Sequence, residues 1–292
     1  MTTLYLILTN KCNNNCRYCF YNQEPLRKVE DKLTYESLCS VILQASELGY
    51  KEVSFTGGEP LLFKDIFKLI KYSHNLNLIT TISTNAVLLN TKTISSLKDS
   101  GLDNIYISTS SDFFENKRYL KLDKILREIS IFGINSPTLV FVVTAKNINS
   151  LSDVIDYAIN KDIYLQLQPA FIPNKENLLS LFNLSPSKNI LFNRDVKRWG
   201  KLFGKKNYAN QILANYDNLL SSKKPKHCHF VNEDLVINAD GNVYPCFHRL
   251  DLKLGNILND SLANCVVSID NSDKKTMFNA KCYGEHCISL FS

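Results

Sequence analysis

The chain has 292 residues, 45% of them hydrophobic, and 34 Lys and Arg against 28 Asp and Glu give a net charge of +6. That is ample for a large core and suits one main domain with an appendage. No apolar run reaches the roughly 18 residues of a membrane span, and Met1 to Leu8 has no basic leader or cleavage site, so neither a membrane protein nor a secreted one is expected.

Strand-like and helix-like segments alternate from the start to about residue 170. Strands are predicted at Leu4 to Leu8, Glu52 to Phe55, Leu78 to Ser83, Asn104 to Ser108, Thr138 to Thr144 and Ile163 to Gln168. Helices are predicted near Thr34 to Leu48, Asp65 to Asn75, Thr91 to Ser100, Lys121 to Phe132 and Leu151 to Asn160. Six such repeats with apolar strands imply a parallel sheet covered by helices. Six in place of eight imply a partial, open (β/α)6 barrel, with functional groups at the C-terminal strand ends.

Just after the first strand lies Cys12-Asn-Asn-Asn-Cys16-Arg-Tyr-Cys19. Three thiolates at this pitch can wrap three corners of a [4Fe–4S] cube and leave the fourth iron open to a small molecule. A structural zinc site is closed by four ligands and usually shows paired C-x-x-C knuckles, so zinc or plain buried thiols is the competing reading. After the second strand comes Thr56-Gly57-Gly58-Glu59-Pro60. Its two glycines allow close backbone approach to a ligand, and Glu59 can accept from an ammonium group. Alone, it is equally a strand-to-helix turn.

Together, the cysteine loop with its internal Tyr18 and the Gly-Gly-Glu-Pro turn resemble the radical S-adenosylmethionine (SAM) superfamily. The resemblance implies a cluster on Cys12, Cys16 and Cys19 whose open iron chelates SAM, with Gly57, Gly58, Glu59 and Pro60 at the methionyl amino group and Tyr18 and Phe20 beside the cofactor. It also implies one-electron cleavage of SAM to methionine and a 5′-deoxyadenosyl radical that abstracts a substrate hydrogen. A reducing partner such as flavodoxin or ferredoxin is then required. An oxidisable cluster and free thiols belong in a reducing compartment, so the cytoplasm is expected.

Polar residues end the other strands: Ser83-Thr84-Asn85, Ser108 through Asp112, Thr144, and Gln168-Pro169. The resemblance carries over Ser83, Asn85 and Ser108 as SAM contacts, against their use as helix caps. Asp112, one step further out, suits a substrate contact or a cap.

From 172 to 226 the rhythm stops in a helical, Lys-rich connector that holds the single tryptophan, Trp199. Its charge reads as a solvated helix face and Trp199 as a core anchor, and no dedicated RNA-binding module accompanies them, so nucleic acid is not an expected partner.

The segment 227–292 holds Cys228, Cys246, Cys265, Cys282 and Cys287. Asp234 to Cys246 reads as a β-hairpin around Asp240-Gly241, which brings Cys228 and Cys246 to its open end. Cys228, twelve residues, Gly241, four residues, Cys246 resembles the opening of the "twitch" domain, a short form of the SPASM extension. That implies one auxiliary [4Fe–4S] cluster on Cys228, Cys246, Cys282 and Cys287, two clusters in all. The last pair is spaced C-x4-C where C-x-x-C is commoner, so Cys265 or His286 can stand in for one ligand. A zinc site is the structural alternative. Cys39, inside a helical pattern, reads as a buried apolar thiol, and Cys265 as packing in preference to a hydrogen donor.

The expected architecture is therefore α/β: a partial barrel over 1–171, a connector over 172–226 and a twitch-like hairpin and helix domain over 227–292. The expected function is oxidation or cross-linking of a ribosomally synthesised peptide. The alternative is a dehydrogenase or epimerase acting on an aminoglycoside- or aminocyclitol-like small molecule. Cys12 follows only eleven residues, without the leader-binding domain that many peptide-modifying relatives carry; this weighs against a peptide substrate without excluding it, since a separate protein could recognise the leader.

Overall fold

The computed structural model describes residues 2–19, 29–109, 118–170, 179–203, 234–247, 250 and 252–267. Phe20, Asp112, Cys228, Cys282, His286 and Cys287, together with the boundaries placed at 171 and 226, lie outside the described residues.

Alternation of strand and helix begins with β1 (Thr3–Ile7), α1 (Tyr35–Glu47), β2 (Glu52–Thr56), α2 (Ile66–Asn75), β3 (Ile79–Thr84) and α3 (Thr91–Asp99). It continues through β4 (Asn104–Thr109), α4 (Arg118–Ile131), β5 (Thr138–Val143), α5 (Leu151–Lys161) and β6 (Tyr164–Pro169). Then come α6 (Pro186–Leu202), the short strands β7 (Leu235–Ile237), β8 (Asn242–Tyr244) and β9 (Gly255–Asn256), and α7 (Leu262–Val267). Local chemistry sets the helix starts. Thr34 and Ser37 form a reciprocal capping box before α1, Asn90 caps α3, and Ser185 caps α6 with Pro186 in its first turn. A left-handed Asp162 ends α5 and turns the chain into β6.

Among the described residues the strands form one sheet in the order β6-β5-β4-β3-β2-β1-β7-β8-β9. Strands β1 to β6 are parallel, and the sheet is not closed. Among the described residues the helices cover one face of it. Leu4, Leu6, Val53, Phe55, Ile82, Ile105, Leu139, Phe141 and Leu165 are buried on that side against Leu38, Ile42, Leu69, Ile94, Ile125, Val154 and Trp199. The strands were expected to be apolar, with polar residues at their ends. Instead, register places Ser54, Thr81, Asn104 and then Ser83, Tyr106, Thr138, Tyr164 in rows across the other face, because successive side chains point to opposite sides.

The predicted hairpin is present as β7 and β8, paired antiparallel around Gly241. It does not form a sheet of its own. β7 pairs parallel to β1, Leu4 with Leu235 and Leu6 with Ile237, so the hairpin extends the barrel sheet. Further bonds fix this edge: Lys32 and Leu33 N–H donate to the Ala239 carbonyl, and Leu262 N–H at the start of α7 donates to Gln44 of α1. Trp199 is fully buried and its Nε1 donates to the Leu165 carbonyl at 2.8 Å, so it anchors α6 to β6. The basic face of α6 is partly engaged: Arg194 pairs with Asp195, Arg198 with Asp156, and Lys188 caps the Ala145 carbonyl.

Candidate active site

The cysteine loop leaves the C-terminal end of β1 and is held at both sides. Asp31 accepts from Thr9 Oγ1, from Asn10 N–H at 2.9 Å and from Asn10 Nδ2 at 3.0 Å, which fixes the first turn of the loop. On the other side the end of β2 lies against it. Gly58 N–H donates to the Thr9 carbonyl at 2.7 Å and Glu59 N–H to the Lys11 carbonyl at 2.9 Å. A Cβ on Gly57 would lie 2.6 Å from the Thr9 carbonyl oxygen, and one on Gly58 would overlap the Lys11 carbonyl. Gly57 also has φ +145°, a conformation open to glycine. The glycines make room for the backbone that carries the cysteines.

Within the loop Cys12 is exposed and Cys16 and Cys19 are half-buried. Cys19 N–H donates to the Cys16 carbonyl at 3.1 Å, closing the turn between them. Cys12 Sγ accepts from Asn14 N–H at 3.4 Å and from Asn85 Nδ2 at 3.6 Å. Among the described residues no three His, Cys, Asp or Glu form a preassembled metal cage. The donor set nevertheless fits a cluster: three thiols in one short loop, no competing carboxylate or imidazole within it, and amide N–H groups aimed at sulfur.

Glu59 is fully buried, and its carboxylate does not stand free. Oε1 accepts from Thr84 Oγ1 at 2.7 Å and Leu61 N–H at 3.2 Å, and Oε2 accepts from Asn85 N–H at 2.9 Å. Burial pushes this carboxyl above its ordinary pKa, opposed by those three bonds. Three donors on one carboxylate make Glu59 a strut between β2, the short 3-10 turn Pro60–Leu62 and β3. Asn85 is likewise engaged. Its Nδ2 donates to Asn13 Oδ1 at 2.8 Å and its Oδ1 accepts from Val87 N–H at 2.9 Å. Sequence reasoning missed Thr84 and Asp31 as parts of this frame. The available signal for Thr84 was its position: it alternates with Ile82 on the helix-covered face, where a polar group needs a buried partner.

Ser83 and Ser108 lie in the uncovered face at the ends of β3 and β4, half-buried and exposed respectively. Gln166 and Gln168 of β6 continue that face. Next to it, around β1 and β7, an apolar layer of Ile7, Val236, Ala239 and Tyr244 is joined by Tyr5, whose ring meets Phe247 edge-on at 5.1 Å. Cys246 is buried, 4% exposed, just past β8. Cys265 of α7 is 1% exposed in the main core, so close to Gly255 that a Cβ there would lie 2.5 Å from its Sγ. Burial, and then the charge of Asp260, pushes the Cys265 thiol up. Cys39 is half-buried against the core and its thiol is also raised by burial.

A parallel, open sheet with a three-thiol loop at one strand end defines a radical SAM enzyme, and sequence comparison agrees. The model of the radical SAM superfamily matches residues 6–158, just over half of the chain, and the chain belongs to that superfamily. The SPASM iron–sulfur cluster-binding domain matches residues 228–287. The chain is 28% identical over 277 residues to a GTP 3',8-cyclase of Clostridium botulinum, covering 86% of this chain and 83% of the relative. It is 29% identical over 169 residues to the PqqA peptide cyclase of Bradyrhizobium diazoefficiens, covering 54% of this chain and 43% of the relative. In fold it is similar to Streptococcus suis SuiB bound to its precursor peptide SuiA, with a TM-score of 0.71 at 17% identity, covering 99% of this chain and 70% of that one. Among the described residues no helix is long and apolar enough to cross a membrane.

Proposed function

We propose that this enzyme modifies a peptide by oxidation or cross-linking, using two [4Fe–4S] clusters, one on Cys12, Cys16 and Cys19 and an auxiliary one on Cys228, Cys246, Cys282 and Cys287. The observation that carries this reading is the face of β3 to β6 that the described helices leave free, lined by Ser83, Ser108, Val140, Val142, Gln166 and Gln168 and reaching the edge strand β6. A face open at one edge can take an extended chain. The likeness to a peptide cyclase supports the same substrate class.

When bound, the loop cluster supplies the electron that cleaves SAM reductively to a 5′-deoxyadenosyl radical. The chain's own groups then have separate tasks. In this reading Ser83 and Ser108 take polar groups of SAM, and Tyr18, Phe20 and Pro60 are further SAM contacts implied by the family resemblance. Glu59 and Asn85 stand behind that layer and hold the strand ends and the loop in register. Gln166 and Gln168 offer amides to a substrate backbone.

A second reading keeps a small-molecule substrate, favoured by the likeness to a GTP 3',8-cyclase over most of both chains. Anaerobic reconstitution should load about eight irons, falling to about four when Cys12, Cys16 and Cys19 are all replaced by Ala. Reduced protein should release 5′-deoxyadenosine, and a short peptide encoded beside its gene, co-expressed with it, should lose two hydrogens. A peptide of unchanged mass carrying one solvent deuterium would make the enzyme an epimerase. Release stimulated by a metabolite fraction, with every such peptide unmodified, would establish the small-molecule reading.

A further inference from the structure

We propose that Asn85 sets the reduction potential of the cluster on the cysteine loop, and that the buried Glu59 acts on that cluster through Asn85. The proposal rests on the cluster assignment above. Asn85 follows the last residue of β3, and the left-handed Ala86 (φ 61°) turns the chain directly after it. The side-chain amide is gripped at both ends: Oδ1 takes the Val87 N–H, and Nδ2 donates to Asn13 Oδ1 and reaches Cys12 Sγ. A flipped amide would set oxygen against the Asn13 oxygen, so the N–H stays turned to the loop. Asn85 N–H is in turn fixed by Glu59 Oε2, whose other oxygen is tied to Thr84 and Leu61. A line of hydrogen bonds therefore runs from a buried carboxylate, through one residue, to a cluster sulfur.

An N–H group on a cluster sulfur strengthens as the sulfur gains electron density, so it favours the reduced form and raises the potential. Asn14 N–H is a second donor to the same Cys12 sulfur, supplied by the loop's own backbone. Asn85 brings its N–H to that sulfur from the end of another strand. Glu59 is accordingly a positioning residue in this scheme: its carboxylate holds the β3 end, and its effect on the cluster passes through the Asn85 amide.

The test is an EPR-monitored redox titration of the full two-cluster chain without SAM, the loop cluster being the signal that moves when SAM is later added. Asn85→Ser keeps a short acceptor for Val87 and removes the N–H; Asn85→Asp keeps the shape and removes it too. Glu59→Gln keeps an oxygen for Thr84 and Leu61 but loses the acceptor for Asn85 N–H. With iron loading unchanged, Asn85→Ser should lower the reduction equilibrium constant about tenfold, which is about 59 mV for one electron. Glu59→Gln should move the potential the same way by less, and the Asn85→Ser, Glu59→Gln double variant no further than Asn85→Ser alone, as expected for groups acting in series.

A fully loaded Asn85→Ser with the wild-type potential overturns the proposal. So does a Glu59→Gln that weakens SAM affinity with the potential fixed, since Glu59 would then touch SAM directly. Loss of iron in both Asn85 variants would make the residue a builder of the loop and not a tuner. If the triple cysteine variant keeps the full iron load, the cluster assignment itself fails, a result separate from all of these.

Discussion

Two sets of thiols lie along one sheet in opposite surroundings. Cys12, Cys16 and Cys19 sit in a polar loop, exposed or half-buried, with amide donors on the Cys12 sulfur and a backbone frame from Asp31, Gly58 and Glu59. Cys246 and Cys265 lie on or beside the hairpin that pairs with β1, buried, with the Cys265 thiol raised by its burial. The contrast teaches what each place suits. An exposed thiol with N–H donors leaves a face open to a small molecule, whereas burial holds the Cys265 thiol in its protonated form. Under the proposed reading the loop cluster meets SAM, and any cluster on Cys246 exchanges electrons from behind protein.

The largest effect is expected at Gly58. Gly58→Val drives a side chain into the Lys11 carbonyl, so the variant should lose about 3 kcal/mol of stability and about four of its irons; denaturant midpoints and an iron assay measure both. Wild-type values would show that the loop does not lean on this contact. Next, Cys246→Ser should lose about four irons but still release 5′-deoxyadenosine. A full iron load in that variant would strike Cys246 from the ligand set and leave the hairpin thiols with a packing role alone.

Cys265→Ala should cost about 1 kcal/mol for the small cavity beneath Gly255, with iron content unchanged. A drop of four irons would instead make Cys265 a ligand and erase part of the contrast between it and the loop. The smallest effect belongs to the uncovered face. Ser108→Ala should leave stability within about 0.5 kcal/mol, while raising the Kd for SAM about fivefold through one lost hydrogen bond worth about 1 kcal/mol. Calorimetric titration of SAM checks it, and an unchanged Kd would move Ser108 out of the cofactor site.

Much of the fold was legible before any coordinates. Six strands and five helices fall within a few residues of their expected places, because alternation, capping residues and glycines are local signals: α1 starts one residue after Thr34, and α3 one after Asn90. The cysteine loop was legible for the same reason, three like residues at close spacing. Glu59 was legible as a special residue but not in its partners. Thr84 and Asn85 lie 25 and 26 positions away, and nothing in the spacing says that they donate to this carboxylate. The two glycines were noticed for their freedom, and what presses on them is the backbone just past β1, nearly fifty residues earlier.

The sequence by itself determined the repeat of strands and helices, the three-thiol loop and the turn after β2, because each depends on residues close together in the chain. Only the tertiary structure decided which strand faces became rows of polar groups, that β7 pairs with β1 across some 230 residues, and that a buried carboxylate holds the asparagine lying on Cys12. Those outcomes depend on strand register and long-range pairing. Their energies come from desolvating groups that meet only once the sheet has formed.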